Sequence, residues 1–568
     1  MRAAVGCDGD GIGRAQGPPL RSTPTHTPTY VGEGLAPSRS ATEKARRRRF
    51  HVAIVGSGFA GSILARLLAH AGRSVLLVER GRHPRFALGE SSTPLAAIAL
   101  ERLAARLGDD GDDLRALAAA GRWHRRLDGL GRGLKRGFTF YRHRPGEPYA
   151  AGPDSRLLVA ASPDDEIADN HWLRADVDHH LVRRAEAAGA TLVEGCELTA
   201  VEERDDGISL TGRHDDGTPF AAEADFLVDA SGPGGFLARC LPIPGVAPET
   251  PETSLIHGHF RGASRFAAVL RETGEALPEG PYPDDRAAVH HLLDEGWAYA
   301  LRFDPEDADG GALTSFGVVL RRKAAERLFA DHPEPTDALA ALLARYPALA
   351  ATLRDAEPVR PVARVGEVAH RLARATGWRW LLLPHAYAFF DPLFSTGIAW
   401  SLVGVERVAE LLAEGVPGEE DLAAYERLLS QEADHASRLI AGAWASMDDF
   451  RAFVAHTMLY FAAASWCEAR QRLLDGDHVW SGFLGAADEL LSAAVEQAVG
   501  RLVGGEGGEA YERWVRETIA PRNLAGLADP ARENLYPVDL EALVAAAGLL
   551  GMSEDEMREA LPRLRGSS

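Results

Sequence analysis

The sequence predicts an α/β protein with a Rossmann-like nucleotide-binding domain, an antiparallel β-sheet domain and an α-helical C-terminal region. An apolar run over residues 52–55 leads into a glycine-rich turn and then into a helical pattern, which is typical of a first βαβ unit. Long alternating segments without helical crossovers follow between residues 254 and 320, as in an antiparallel sheet. From Asp421 onward the pattern is nearly all amphipathic helix.

The glycine-rich turn, GSGFAG, has a separate task for each glycine. Gly56 permits a tight turn, Gly58 lets a pyrophosphate approach the backbone, and Gly61 lets the helix pack close to the strand. Glu79 ends the next strand, where its carboxylate can accept hydrogen bonds from both ribose hydroxyls. That carboxylate would repel a 2′-phosphate, so we expect FAD or NAD rather than NADP. The alternative is a glycine turn that binds no ligand.

Composition limits the class of protein. The 568 residues include 82 Asp and Glu against 62 Lys and Arg, a net charge of −20, which argues against nucleic acid or an anionic membrane as the main partner. The four cysteines have neither a metal-ligand spacing nor the pattern of a disulfide framework, so we expect no metal and a reducing, cytoplasmic location. The apolar run at residues 458–466 is too short to span a bilayer, so we expect no integral membrane segment.

We expect five regions along the chain. Residues 1–50, rich in Gly, Pro, Thr and Arg, are expected to form a disordered leader or to follow from a start codon placed too far upstream. The first part of the nucleotide-binding domain, with inserted segments, is expected at 51–250, and the antiparallel substrate domain at 251–365. The nucleotide-binding domain is expected to return at 366–415, and the helical C-terminal region to occupy 416–568, where it caps the substrate cavity or mediates dimerisation.

Two further turns precede helices. In the segment GESSTP, residues 89–94, the polar groups either cap the following helix or contact the cofactor. In FDPLFSTGI, residues 390–398, Pro392 sets a turn and Ser-Thr-Gly opens a long helix, which predicts a second anion or carbonyl site at a helix N-terminus. The paired histidines at 257, 259, 290 and 291 are a weaker pattern, because no carboxylates at fixed spacing accompany them to suggest a metal.

Lys135 is one of only three lysines in the chain. It lies in an alternating segment, Leu134 to Tyr141, that predicts one strand with Lys135 and Arg136 on opposite faces. A solvated cation at the end of a strand is the ordinary interpretation of such a lysine.

With these motifs in place, the chain from His51 to about Leu412 resembles the FAD-dependent oxidoreductases that include flavin monooxygenases and, more closely, flavin-dependent halogenases. The resemblance rests on GSGFAG with Glu79, GESSTP, the pair Arg174 and Asp178, DASGPGG from Asp229, and FDPLFSTGI. It implies FAD contacts from residues of all five motifs: Gly56, Gly58, Phe59, Ala60, Gly61, Glu79, Arg80, Glu90, Ser91, Arg174, Asp229, Gly232, Asp391, Pro392, Ser395, Gly397 and Ile398.

The resemblance also implies a halide site at the backbone of Thr396 and Gly397, and it makes Lys135 the catalytic residue. In the family scheme, reduced flavin and oxygen oxidise the halide, and the lysine holds or activates the hypohalous acid against an electron-rich ring. Three segments depart from the family pattern. Trp297 to Arg302 keeps only the first aromatic of a WxWxIP segment, Pro384-His385 replaces a Gly-Asp pair, and Phe394 replaces the glutamate of tryptophan halogenases. Free tryptophan is therefore not the expected substrate.

The first hypothesis is an enzyme that uses FADH2, O2 and chloride or bromide to halogenate or oxidise a small phenolic or pyrrolic substrate, free or bound to a carrier protein. A separate flavin reductase is expected, because no second dinucleotide fingerprint is visible. The alternatives are a flavin monooxygenase or reductase of the same fold, and a non-catalytic flavin-binding subunit. A homodimer is left open.

Overall fold

The computed structural model describes residues 49–127, 129–303, 313–476 and 478–564. The expected leader therefore lies outside the described residues except for Arg49 and Phe50, which already belong to the first strand. The strands of the described ranges are β1 Arg49–Val55, β2 Val75–Glu79, β3 Arg132–Lys135, β4 Gly137–Arg142, β5 Arg156–Ala160, β6 Asp169–Trp172, β7 Thr191–Glu194, β8 Cys196–Arg204, β9 Gly207–His214, β10 Pro219–Asp229, β11 Thr253–Arg261, β12 Ala288–Leu293, β13 Gly296–Phe303, β14 Leu313–Arg321, β15 Glu357–Pro358, β16 Ala363–Val365, β17 His370–Arg371, β18 Thr376–Gly377, β19 Trp380–Leu382, β20 Ala388–Phe389 and β21 Leu535–Tyr536.

The α-helices of the same ranges include one long pair near the C-terminal end. They are α1 Phe59–His70, α2 Pro94–Leu107, α3 Asp112–Leu117, α4 Ala120–Arg126, α5 Arg174–Ala187, α6 Phe236–Cys240, α7 Phe266–Glu272, α8 Arg322–Asp331, α9 Pro335–Leu343, α10 Pro347–Thr352, α11 Pro384–Tyr387, α12 Gly397–Leu411, α13 Glu419–Ser446, α14 Phe450–Leu473, α15 Glu489–Val503, α16 Gly508–Ile519, α17 Leu540–Ala545 and α18 Glu554–Leu564. In the described ranges, no helix has an apolar stretch long enough to cross a bilayer.

The first sheet has the order β18-β19-β10-β1-β2-β7, and β8 and β9 extend it from β10. The pairs β10–β1, β1–β2, β2–β7 and β10–β19 are all parallel. Residues 52–55 of β1 and all of β2 are buried, since α1 packs against both strands and α5 and α12 pack against α1. The predicted Rossmann-like α/β domain is confirmed.

The second sheet has the order β15-β11-β14-β13-β12-β4-β5-β21. Its central strands β11, β14, β13 and β12 are antiparallel, as predicted. The sheet also takes in β4, which pairs with β12 in parallel, and β21 from the C-terminal region, which pairs with β5. It therefore joins segments that are far apart in sequence.

The single strand predicted from Leu134 to Tyr141 is wrong. The chain breaks at Arg136, so that β3 pairs with β6 in a small separate sheet and β4 joins the second sheet. Arg136 makes the break because its backbone N–H bonds to Arg286 and its side chain bonds to Asp165. The break turns Lys135 into the protein interior rather than toward solvent.

Candidate functional site

A cavity of about 630 Å³ runs along the carboxyl ends of β1 and β2, and we call it the nucleotide cavity. Its volume is typical of cofactor sites, which span roughly 300–1,000 Å³. Of the residues predicted to bind the cofactor, most line it: Gly56, Gly58, Phe59, Ala60, Glu79, Arg80, Glu90, Ser91, Arg174, Gly232, Pro392, Ser395, Gly397 and Ile398.

The glycine turn has the geometry that its three glycines predict. Gly56 has φ +100°, and a Cβ there would lie 2.6 Å from the Ala230 carbonyl oxygen. A Cβ on Gly61 would lie 2.0 Å from the Gly56 carbonyl oxygen, so this glycine lets α1 pack against the turn. A Cβ on Gly58 would meet nothing closer than 3.5 Å, so the backbone there is open to the cavity. These residues fit a dinucleotide pyrophosphate at the start of α1.

Glu79 is held as a carboxylate at the end of β2. Its oxygens accept hydrogen bonds from the N–H of Ser57 at 3.0 Å and of Gly81 at 2.8 Å, and from Arg85 at 2.9 Å. Burial alone would raise the pKa of Glu79, but the charge of Arg85 and the two N–H groups lower it to about 2. Arg85 also lines the cavity, and sequence analysis missed it because nothing distinguishes it among the many arginines.

Arg174 and Asp178 form a buried bidentate pair at 2.8 Å, as their i,i+4 spacing allows. The guanidinium also donates to the carbonyl oxygens of Leu88 and Gly89 and lies over the Phe59 ring at 4.7 Å. It therefore fixes the backbone that leads into GESSTP, in addition to lining the cavity.

The GESSTP turn lies between two cavities. Glu90 and Ser91 line the nucleotide cavity, whereas Thr93 and Pro94 line a second cavity described below. Thr93 is the N-cap of α2, but its side chain makes no capping hydrogen bond. The Glu90 carboxylate forms a hydrogen bond with the His259 ring at 2.9 Å.

Asp229 and Asp391 were both predicted to contact the cofactor, but their carboxyl groups accept hydrogen bonds from the protein backbone. Asp229 accepts from the Ser231 N–H at 2.9 Å and the Leu237 N–H at 2.7 Å, and so holds the loop that carries Gly232. Asp391 accepts from the Leu393 N–H at 2.9 Å. Burial raises the pKa of both groups, that of Asp391 to about 7. Their contact with a cofactor stays a prediction.

The Ser-Thr-Gly corner separates the two cavities. Ser395 has φ +52°, an uncommon conformation for a residue other than glycine, and α12 begins two residues later at Gly397. Ser395 and Gly397 line the nucleotide cavity, whereas Thr396 lines the second cavity. The first N–H groups of a 15-residue helix thus lie where the cavities approach each other.

The second cavity has a volume of about 460 Å³, and we call it the aromatic cavity. Part of its wall comes from the helical C-terminal region, through α14, α17, α18 and the segment around β21. This region therefore covers the cavity, one of the two roles considered for it. The aromatic side chains of the wall are Phe138, Tyr460, Phe461, Phe483 and Tyr536.

Lys135 is fully buried, with an exposed fraction of 0%, beside Ser92, whose neighbours Ser91 and Thr93 line the nucleotide cavity and the aromatic cavity, respectively. Its ammonium donates to the Ser92 carbonyl oxygen at 2.6 Å and lies 4.1 Å from the centre of the Phe138 ring, which lines the aromatic cavity. Burial lowers the pKa of Lys135, and the charge of Asp169 opposes that shift. The solvated strand-end cation is therefore wrong for Lys135.

One lining residue, Asp169, had no sequence signal. Asp169, opposite Lys135 in the β3–β6 pair, lines the aromatic cavity and looked like one more acid after Asp164, Asp165 and Glu166. Trp297, Tyr299 and His385 belong to the segments that depart from the family pattern, and all three line the nucleotide cavity. Among the residues that the structure describes, no cluster of three His, Cys, Asp or Glu side chains could hold a metal ion.

Comparison with known proteins identifies sequences and a solved structure that are similar to this chain. The family model described as FAD dependent oxidoreductase matches residues 51–354. Tetracycline 7-halogenase of Kitasatospora aureofaciens is 26% identical over 552 residues, which cover 90% of this chain and 95% of the relative. Monodechloroaminopyrrolnitrin halogenase PrnC of Pseudomonas fluorescens is 25% identical and covers 72% and 70%, respectively. The crystal structure of halogenase PltM has a TM-score of 0.73 at 21% identity and covers 84% of this chain and 96% of its own.

Proposed function

This chain belongs to the FAD-dependent oxidoreductase family, and from that premise we propose that it is a flavin-dependent halogenase acting on a small electron-rich aromatic ring. The observation that carries the proposal is the buried ammonium of Lys135, which donates to Ser92 in the turn shared by the two cavities and lies against Phe138 of the aromatic cavity. A cation placed there would lie near both an oxidant formed in the nucleotide cavity and a ring held in the aromatic cavity.

FAD is the cofactor of this enzyme, and with O2 its reduced form supplies the two-electron oxidation of a halide. The glycine turn and the start of α1 would hold the pyrophosphate, and Glu79 would accept from the ribose hydroxyls. The Ser-Thr-Gly corner would hold the halide at the N-terminus of α12, where backbone N–H groups favour an anion.

Lys135 would hold hypohalous acid by donating a hydrogen bond to its oxygen. Burial disfavours the charged form of this lysine, so its ammonium releases a proton more readily than an exposed one. An arginine could not do this, because a guanidinium stays protonated. The lysine would therefore donate the proton with which the oxygen of hypohalous acid leaves as water.

The substrate would be a small ring held in the aromatic cavity. Its volume of about 460 Å³ suits one small molecule, and a structure of halogenase PltM contains phloroglucinol and FAD. Phe394, in place of the glutamate of tryptophan halogenases, stacks on Tyr460 at 4.4 Å between ring centres, which disfavours free tryptophan. A separate flavin reductase would supply FADH2.

The test combines the purified protein with a flavin reductase, NADH, FAD and bromide or chloride, with monochlorodimedone as the scavenger. We expect a halide-dependent loss of scavenger absorbance at least about tenfold above the reaction without halide. A flavin monooxygenase or reductase would instead oxidise NADPH on its own without halide dependence. A flavin-binding subunit would bind FAD and be inactive in both assays.

Replacing Gly61 by alanine should weaken FAD binding at least about tenfold. The new Cβ would lie 2.0 Å from the Gly56 carbonyl oxygen, so α1 must move away from the turn that holds the pyrophosphate. Quenching of flavin fluorescence during titration measures the affinity. The control is Gly500→Ala, where a Cβ on α15 meets nothing within 4 Å. Equal affinity in Gly61→Ala and the wild type would contradict the pyrophosphate assignment.

A further inference from the structure

Asp169 is a buried acid in the wall of the aromatic cavity, and one of its carboxyl oxygens has no hydrogen-bond partner among the described residues. The residue is 4% exposed, and that oxygen is Oδ2. A buried polar atom without a partner is costly, so its presence calls for an explanation such as a catalytic role. Asp169 lines the same cavity as Phe138, Thr396 and Tyr460.

The charged groups around Asp169 are bonded to other partners. Lys135 is its register partner on β3, and its ammonium donates to the Ser92 carbonyl oxygen. On α14, Glu468 and Arg472 pair with each other at 3.1 Å, and Arg472 also bonds to Glu101. Burial raises the pKa of Asp169, and the charge of Lys135 opposes that shift, so this carboxyl can both accept and release a proton.

We propose that Asp169 is a catalytic residue that accepts the hydrogen of a ring-borne O–H or N–H, and that it thereby selects phenolic or pyrrolic substrates. This inference rests on the proposed function. The residue before the Ser-Thr-Gly corner is Phe394, which has no acid group. The carboxylate of the aromatic cavity comes instead from Asp169 on β6. The orientation of the ring would thus be set by the acid opposite the lysine.

The chemical step balances with hypohalous acid as the oxidant. As the ring carbon attacks the halogen, the new carbon–halogen bond forms and the halogen–oxygen bond breaks, with its electron pair going to oxygen. The O–H or N–H proton passes to Asp169, and the leaving oxygen takes a proton from Lys135 to become water. The ring C–H proton then passes to solvent, which restores aromaticity. Return of a proton from Asp169 to the ring heteroatom and from solvent to Lys135 completes the cycle.

The experiment compares two rings that differ in their donors. Phloroglucinol carries three O–H groups, and 1,3,5-trimethoxybenzene has the same substitution pattern without them. With bromide, FAD, NADH and a flavin reductase, the wild type should brominate phloroglucinol about 10- to 100-fold faster than the trimethyl ether, the range expected for a hydrogen bond to a charged acceptor. The brominated products are measured by mass spectrometry.

Asp169→Asn should reduce that preference to about onefold, because the amide keeps the size of the side chain but cannot accept a proton. Halide-dependent loss of monochlorodimedone is measured on the wild type and tests the proposed function by itself, which separates failure of the inference from failure of the proposed function. Asp205→Asn, exposed between β8 and β9, is the control and should keep the wild-type preference.

The inference is overturned if the wild type shows no preference, or if it brominates neither ring while still consuming monochlorodimedone. It is also overturned if Asp169→Asn keeps the preference, because a purely steric effect would survive that change. Should the Asn variant fail to fold, as judged by circular dichroism, the wild-type ratio decides alone.

Discussion

Bromination of phloroglucinol, or of whichever ring the wild type halogenates, is expected to fall by about 10²–10⁴-fold in Lys135→Met, the range for loss of a positioned acid or base. Methionine is of similar length and suits a buried position, so the loss would reflect the missing ammonium rather than a cavity. FADH2 consumption should continue. Product formation per NADH oxidised measures the effect.

The controls separate charge from position. Lys323→Met removes an exposed lysine from α8 and should leave the rate unchanged. Lys135→Arg should not restore activity, because a guanidinium neither fits the donor geometry toward Ser92 nor releases its proton. A Lys135→Met enzyme with near wild-type product formation would remove the lysine from the mechanism and favour a structural role.

Replacing Glu432 by alanine is expected to cost about 3–5 kcal/mol of unfolding free energy, the usual penalty for leaving one member of a buried ion pair unpaired. Glu432 is 1% exposed and accepts two hydrogen bonds from Arg407, at 2.6 and 2.8 Å. It also accepts from the Trp400 indole at 2.8 Å and from the Phe483 N–H at 2.6 Å. One carboxylate on α13 thus joins α12 to the C-terminal segment.

The apparent Tm, followed by circular dichroism or by release of FAD fluorescence, should fall by several degrees in Glu432→Ala. Glu554→Ala, which breaks an exposed pair with Arg558 on α18, should change the unfolding free energy by no more than about 0.5 kcal/mol. Equal melting of Glu432→Ala and the wild type would mean that the buried pair adds nothing to the attachment of α12.

Much of the candidate site was predictable from sequence because its elements are local. The GSGFAG turn, Glu79 at the end of β2 and the Ser-Thr-Gly start of α12 all lie where the pattern placed them. Their signals come from backbone conformation and helix ends, which a few adjacent residues determine. Asp229 shows the limit of this reasoning. Its motif predicts the loop, but it does not predict that the Asp229 carboxylate binds the backbone of that loop.

What the sequence by itself determined is the family of fold, the nucleotide turn with its acid, and the helix start beside it, because glycine, proline and capping residues act on their own neighbours. Only the tertiary structure decided that the strand breaks at Arg136, that Lys135 is buried opposite Asp169, and that Tyr460 from α14 stacks on Phe394. These contacts join residues distant in the chain. They depend on which strands pair and which helices cover them, and the residue pattern within one segment does not predict this pairing.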